Sequence, residues 1–277
     1  FLYMPNMTVT TGDIFIPEAW SKSVQEFLRV NLVMANLVAR FDSEVKGKGD
    51  TIHIPFTTEL VANDKTAGVS VTPQNPTDTQ VNLVVNKHKE SSFFIEDILK
   101  AQSHVDLMEK YTSSAAYAVA KQIDTDLTAL ATGFSTNKGT YNTAITTDTL
   151  LDAIEVLDLA DVPQTDRHFV FRSDVKRDLL DISTYTSEDF ISGKPVESGQ
   201  LSGMIYGVMT HMSNNILKTG NNTSNILMHR DALALAMQVA PRTQSDYSLK
   251  DLANLVVVDT IYGVIEVRDN HGVEVRT

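Results

Sequence analysis

Two alternating runs constrain this chain more than any other feature. Thr51-Ile52-His53-Ile54-Pro55-Phe56 alternates polar and apolar residues, the period of a half-buried strand. Pro55 restricts that strand to an edge or a partly paired position. A second run, Gln80–Lys89, sets Val81, Leu83 and Val85 against Asn82, Val84 and Asn86. A polar stretch holding Asn63-Asp64, Gly68, Pro73, Asn75 and Pro76 lies between them, and Gly47-Lys48-Gly49-Asp50 breaks the chain just before. The two runs predict a long hairpin with a broad tip. Such a ribbon is marginal in water unless a third strand or a packed surface supports it. Ile52, Ile54 and Phe56 on one strand, and Val81, Leu83 and Val85 on the other, present one apolar face. Each side chain would contribute about 2 kcal/mol on full burial. Something must cover that face, either the chain's own body or a neighbouring subunit.

The flanking sequence supplies candidate bodies. Residues 1–17 carry Pro5, Gly12 and Pro17 and read as an extended arm. From Glu18 to about Arg40, Val24, Phe27, Leu28, Leu32, Ala35 and Val38 recur every three or four residues, which predicts a helix behind Pro17. It is either a core helix or an amphipathic arm. Ser103-His104-Val105-Asp106 has the form of a capping box. Met108, Tyr111, Ala115, Val119, Ile123, Leu127 and Leu130 then form a stripe that Gly133 stops. From Ser103 to Ala131 that helix spans about 43 Å. Ala115, Ala116, Ala118 and Ala120 would let another element cross closely, so it reads as a rigid strut.

Thr147 is expected to cap a helix over Asp148–Leu159, and Val162-Pro163 ends it. His168–Phe171 reads as a buried strand, and Ser173 opens a helix to about Asp181. A polar loop, Ser183–Gly199, leads to short strands around Gly203 and Gly207 and a strand-like run from Asn225. Ala232–Gln238 could be helical or extended. The chain closes with Asn254–Asp259, then Ile261–Arg268 and Val273–Arg276, the last two predicted as a hairpin about Asp269-Asn270-His271-Gly272. The fold class is α+β.

Composition excludes whole classes of function. The chain of 277 residues contains no cysteine, so it has no disulfide, thiolate metal site or cysteine nucleophile. Its formal charge of −12 argues against a general nucleic-acid binder, which needs clustered Lys and Arg. Residues 148–200 concentrate that charge, with twelve acidic and five basic side chains. No run reaches the roughly 18 apolar residues that span a bilayer, and no secretion signal opens the sequence, so no membrane partner is expected. Lys138-Gly139 has the wrong order for a phosphate loop, and Gly199-Gln200-Leu201-Ser202-Gly203 is off by one from a nucleophile elbow. The seven histidines look scattered, and Asp124 and Asp126 point to different sides of a helix. We therefore expect no enzyme, no cofactor and no metal.

The order of parts is that of a known family. An arm, a helix, a long hairpin, a strut helix, an α/β segment and terminal strands resemble the major capsid proteins of tailed double-stranded DNA phages, the Hong Kong 97 fold. The matching texts are Ile16-Pro17-Glu18-Ala19-Trp20 in the arm and Gly49-Asp50-Thr51-Ile52-His53-Ile54-Pro55 at the hairpin entry. They continue with Ile123-Asp124-Thr125-Asp126-Leu127, Val162-Pro163 through Phe171-Arg172-Ser173, and Tyr206-Gly207-Val208 followed by Ser213-Asn214-Asn215. The resemblance implies an N-terminal arm and helix over 1–41 and an extended loop over 42–92 that lies on a neighbour. It implies a peripheral domain over 93–147, with the strut as its spine, completed by 256–277. Residues 148–255 would be an axial domain at the centre of pentamers and hexamers.

On this reading the chain is a virion shell subunit, assembled in the host cytoplasm around double-stranded DNA, with portal, scaffold and decoration proteins as partners. Contacts between subunits are then expected at Ile52, Ile54, Phe56, Lys65, Val81, Leu83, Val85, Trp20 and Phe27. Some members of the family join a loop lysine to an asparagine next door. Lys65 and Asn270 are the conceivable pair here, against the plain reading of Lys65 as solvated. An encapsulin-like cargo compartment is the alternative within the fold. A hydrolase on 148–255 would need converging polar groups that the sequence lacks, and a fibre adhesin would need repeats that are absent.

Overall fold

The computed structural model describes residues 33–45, 49–58, 60–71, 73–97, 107–182 and 203–277. Trp20, Phe27, most of the helix expected from Glu18, the capping box at Ser103 and the loop from Ser183 lie outside them. In chain order the strands before the strut are β1 (Ala39–Arg40), β2 (Thr51–Phe56), β3 (Thr79–Val84) and β4 (Lys87–Glu96). The strut is α1 (Leu107–Thr128). Then come β5 (Asn137–Gly139), α2 (Thr147–Leu159), β6 (Arg167–Phe171) and α3 (Ser173–Asp181). The remainder is β7 (Met204–Ile205), β8 (Val208–Met212), β9 (Lys218–Thr219), β10 (Asn222–His229), β11 (Leu233–Ser248), β12 (Ala253–Glu266) and β13 (Gly272–Arg276).

Two sheets carry the fold. One has four strands in the order β1-β11-β12-β4. The other has seven, β5-β13-β10-β6-β8-β7 with β9 on β10. The strut's alanines do what small residues allow. Ala115, Ala116 and Ala120, with Val119, Ile123 and Leu127, are buried against Leu233, Leu235, Val258 and Tyr262 of the four-stranded sheet. A second core forms where Leu150, Ala153 and Leu157 of α2 and Val175 and Leu179 of α3 meet Phe169, Phe171, Leu227, Val273 and Val275. β6 is buried along its whole length, as a central strand should be. The cap of α2 is Thr146 rather than Thr147; its hydroxyl accepts the Thr149 N–H at 3.2 Å.

Four local expectations fail, each for a non-local reason. Residues 33–40 are not helical: a single 3-10 turn, Met34–Asn36, is followed by β1, paired parallel with Ala234 and Leu235. The Asp124 carboxylate takes the Met34 N–H at 2.8 Å, which fixes the turn. The run Gln80–Lys89 is two strands, because the chain leaves β3 at Val84 and joins β12 as β4 from Lys87. Asn254–Arg268 is largely one strand, β12. The polar residues where the two predicted runs meet, Asp259 and Thr260, are satisfied within the fold by the Arg242 guanidinium and by the Val239 carbonyl, which accepts the Thr260 hydroxyl at 2.9 Å.

The terminal hairpin does not form. Both edges of β12 are taken, by β11 and β4, so β13 crosses to the other sheet and pairs with β10 and β5. Strand pairing thus crosses the boundaries expected at 147 and 255. Asn137–Gly139 and Gly272–Arg276 belong to the seven-stranded sheet, and Leu233–Ser248 to the four-stranded one. Ala232–Gln238, open in the sequence, is extended from Leu233 within β11.

Candidate assembly surfaces

The hairpin's base is sealed inside the chain. β2 and β3 pair antiparallel from Thr51↔Val84 to Phe56↔Thr79, and the Val85 N–H closes the ladder on the Asp50 carbonyl at 2.7 Å. Ile52, Leu83 and Val85 are buried with Val45, Ala234 and Ala236. Ile54 packs at the margin of this cluster, as do Ile261, Ile265 and Val267. Gly263 makes the approach possible. A Cβ at that position would lie 2.4 Å from the Val84 carbonyl oxygen, so only glycine lets the ribbon's backbone come so close to β12. Phe56 is half-buried, with the Arg268 guanidinium 5.0 Å from its ring centre. Val81 is half-buried opposite Ile54. Of the two covers open to Ile52, Leu83 and Val85, the chain's own body or a neighbour, the first is present. The chain covers them itself, because β11 and β12 offer small residues where the ribbon crosses.

The tip behaves differently. Beyond Phe56 the ladder stops, and side chains brace the loop: the Gln74 amide bonds both the N–H and the carbonyl of Val61, and the Thr58 hydroxyl donates to the Thr77 carbonyl. Leu60, Val61, Val69 and Val71 are 60 to 70% exposed there. Lys65 folds onto its own turn, its ammonium donating to the carbonyls of Thr66 and Val69. Asn270 is exposed on the 3-10 turn Asp269–His271, with its amide oxygen 2.9 Å from His271 Nδ1. Leu249 and Leu252 at the β11–β12 turn, and Met204, Tyr206, Met209 and Met212 around β7 and β8, are exposed apolar groups that the sequence does not mark as contacts.

Polar groups lock the frame that presents these surfaces. Asp124 is fully buried and also accepts from the Ser213 hydroxyl and the Asn215 amide, both at 3.0 Å. This explains why the Asp124 and Ser213-Asn215 texts occur together. Asp126 faces the other way, accepting from Lys87 at 2.9 Å, Tyr262 at 2.8 Å and Gln122 at 2.9 Å. Burial works against its charge, but hydrogen bonds from Lys87 and Tyr262 outweigh that and hold its carboxyl below the usual value. The bidentate Arg242 guanidinium, at 2.9 and 3.0 Å, does the same for Asp259, opposed by burial and helped by His88. Glu266 is pushed up to about 7 by burial and by Asp269 beside it.

Among the described residues no helix is long and apolar enough to cross a membrane, and no group of three or more His, Asp or Glu could hold a metal ion. Four of the seven histidines are not scattered. His168, His211, His229 and His271 come together at one end of the seven-stranded sheet, a grouping invisible to spacing along the chain.

No curated protein sequence matches this one significantly. Solved structures match across nearly the whole chain. A chain of Mycobacterium phage Che8 aligns with a TM-score of 0.75 and 25% identity, covering 88% of this chain and 90% of that one. The mature capsid of bacteriophage PhiM1 aligns with a TM-score of 0.70 and 14% identity, covering 100% and 91%. A virus-like particle from Pyrococcus furiosus shares the fold at a TM-score of 0.62 and 10% identity, covering 95% and 100%. The model of the phage capsid protein family matches residues 39–276. With its strut helix, covered hairpin and two sheets, the chain belongs to the phage capsid protein family and is a major capsid protein of Hong Kong 97 type.

Proposed function

We propose that this chain builds an icosahedral phage head from pentamers and hexamers around double-stranded DNA. The family match over residues 39–276 carries the reading. It is supported by a closed core from which one arm of chain, the tip between Thr58 and Thr77, projects with apolar side chains in water. In the assembled wall this tip lies on an adjacent copy. The four-stranded sheet with α1 serves as the peripheral unit. The seven-stranded sheet with α2 and α3 serves as the axial unit, turned toward the centre of each capsomer. Trp20, Phe27 and Lys65 contribute contacts between copies, and Ile54, Phe56 and Val81 border them.

The role is structural and runs without a catalysed step. Many interfaces of obligate size, about 2,000 Å² or more, add up to a rigid container. With a chain charge of −12, the DNA is held by packing and counterions rather than gripped by the wall. Portal, scaffold and decoration proteins complete the head, which assembles in the host cytoplasm. The encapsulin-like alternative shares the fold, but the match to the phage family model favours the phage head. Electron microscopy of particles from producing cells, with nuclease treatment, separates the two. Closed particles holding nuclease-protected double-stranded DNA are expected. Closed particles holding protein cargo instead would overturn the phage reading, and the absence of particles would overturn both.

A further inference from the structure

The two sheets are joined by two direct crossings that lie side by side. β10 passes into β11 through the 3-10 turn Arg230–Ala232, and β12 passes into β13 through the turn Asp269–His271. The crossings are tied together where the Ala232 carbonyl accepts the N–H groups of Val267 and Arg268, at 2.8 and 3.2 Å. A histidine sits at each turn. His229 precedes the first and accepts the Asp231 N–H on Nδ1 at 3.2 Å; His271 closes the second. Their rings meet edge to face with centres 5.8 Å apart. The string continues into the sheet. His168 of β6 pairs across the ladder with Met228, the neighbour of His229, and feels the charge of His229; its Nδ1 is 3.2 Å from Nε2 of His211 on β8. His168, His229 and His271 are each 7% exposed.

This geometry does not survive protonation of every ring. The contact between His168 and His211 needs one nitrogen to donate and the other to accept, and two imidazolium rings would turn two N–H groups on each other. The bond from Asp231 to His229 needs Nδ1 bare. The surrounding charges give limited relief, the nearest being Asp231, whose Oδ2 lies 3.8 Å from His229 Nδ1. Asp166 and Asp231 are exposed carboxylates, and they are offset by Arg230 and Arg268. The Arg167 guanidinium is turned away to Asp158 and to the carbonyls of Val162 and Pro163. At the end of β12, Asp269 is engaged by the N–H and hydroxyl of Ser135, next to Glu266.

We infer that this histidine string is a proton-sensitive joint, which ties the two sheets together when its rings are neutral and loosens the crossings when they are protonated. Burial, reinforced at His168 by His211 and at His271 by Arg268, holds three of the rings below their ordinary value. The sign follows. A ring whose folded value is depressed adds stability that is fully present above the unfolded value of about 6.5 and is lost as the pH falls below it. Glu266 acts in the opposite sense. Its value, pushed up to about 7, adds stability at low pH that is lost as the pH rises through 7. The inference concerns the joint within one chain and does not depend on the shell reading.

Hydrogen exchange read by mass spectrometry on the purified chain tests it, at pH 7.5 and pH 5.5 with intrinsic rates corrected. Peptides over 226–234 and 264–274 should lose protection by ~tenfold on acidification, while peptides over 112–127 of α1 hold theirs. His211→Gln, at the half-buried end of the string, should cut that loss by at least half, and Glu266→Gln should leave it in place. Joint peptides that merely track α1 would overturn the inference on the wild-type chain alone. So would an equal loss in His211→Gln, or a loss abolished by Glu266→Gln, which would make the carboxyl pair the sensor.

Discussion

The base and the tip of one hairpin obey opposite rules. Along β2 and β3 the ribbon lies on its own β11–β12 pair, with Leu83 fully buried and Gly263 admitting the backbone. Between the two strands, Leu60, Val61, Val69 and Val71 stand in water on a loop with no ladder. Alternation along a strand says which side chains need cover, and it does not say who provides it. The base is a matter of folding and the tip a matter of assembly, and substitutions should separate the two.

The largest effects belong at the base. Leu83→Ala should cost about 2–5 kcal/mol, since it empties a site that cannot collapse onto the alanines beneath it. Gly263→Ala should cost about 1–3 kcal/mol, because its new methyl meets backbone rather than a side chain that can swing away. Denaturant unfolding of the purified chain measures both. A loss below about 0.5 kcal/mol for Leu83→Ala, in the range of an ordinary surface change, would break the distinction. At the tip, Leu60→Ser with Val71→Ser should leave unfolding within about 0.5 kcal/mol of the parent and abolish closed particles in sedimentation and micrographs. Normal particles from that variant would remove the tip from the interface.

A smaller effect sharpens the frame beneath the base. Asp126 and Asp259 both sit below the ordinary carboxylate value. They add stability above an unfolded value of about 3.9, and lose it as the pH falls through their folded values. Asp259→Asn should cost about 1 kcal/mol at pH 7 and flatten the acid limb of a stability profile below pH 4. An unchanged acid limb would mean that the Arg242 pair carries nothing. The smallest effect is at Lys65, whose ammonium already bonds its own turn. Lys65→Met should shift stability by less than about 0.5 kcal/mol, and mature shells should run as a single monomer band under denaturing conditions. Heavier bands that this substitution removes would make Lys65 a cross-linking residue instead.

Much of the architecture was legible because its signals are local. The stripe from Met108 to Leu127 gives the strut, Leu150 to Leu157 gives α2, and the apolar run before Phe171 gives β6. The paired alternation of β2 and β3 was legible down to its register face. What failed depends on partners distant in the chain. The stripe that reads as helix through Val38 is overridden by Asp124 and by pairing with β11. Asp259 and Thr260 stand where two predicted runs meet, and Arg242 and Val239 satisfy them within one strand. A turn at Asp269–Gly272 looks like a hairpin until both edges of β12 prove occupied. The histidine string spans residues 168 to 271, and no spacing rule collects it. The cover over the base stays open in the sequence for the same reason: Ala234, Ala236 and Gly263 make a seat only once β11 and β12 are paired.

The most direct measurement is an electron cryomicroscopy map of the assembled shell at a resolution that shows side chains. The expected map has Leu60, Val61, Val69 and Val71 buried against a second copy, while Ile52, Leu83 and Val85 stay on Ala234 and Ala236 of their own chain. A map with the tip in solvent, or with the base lifted onto a neighbour, would contradict this division of the hairpin.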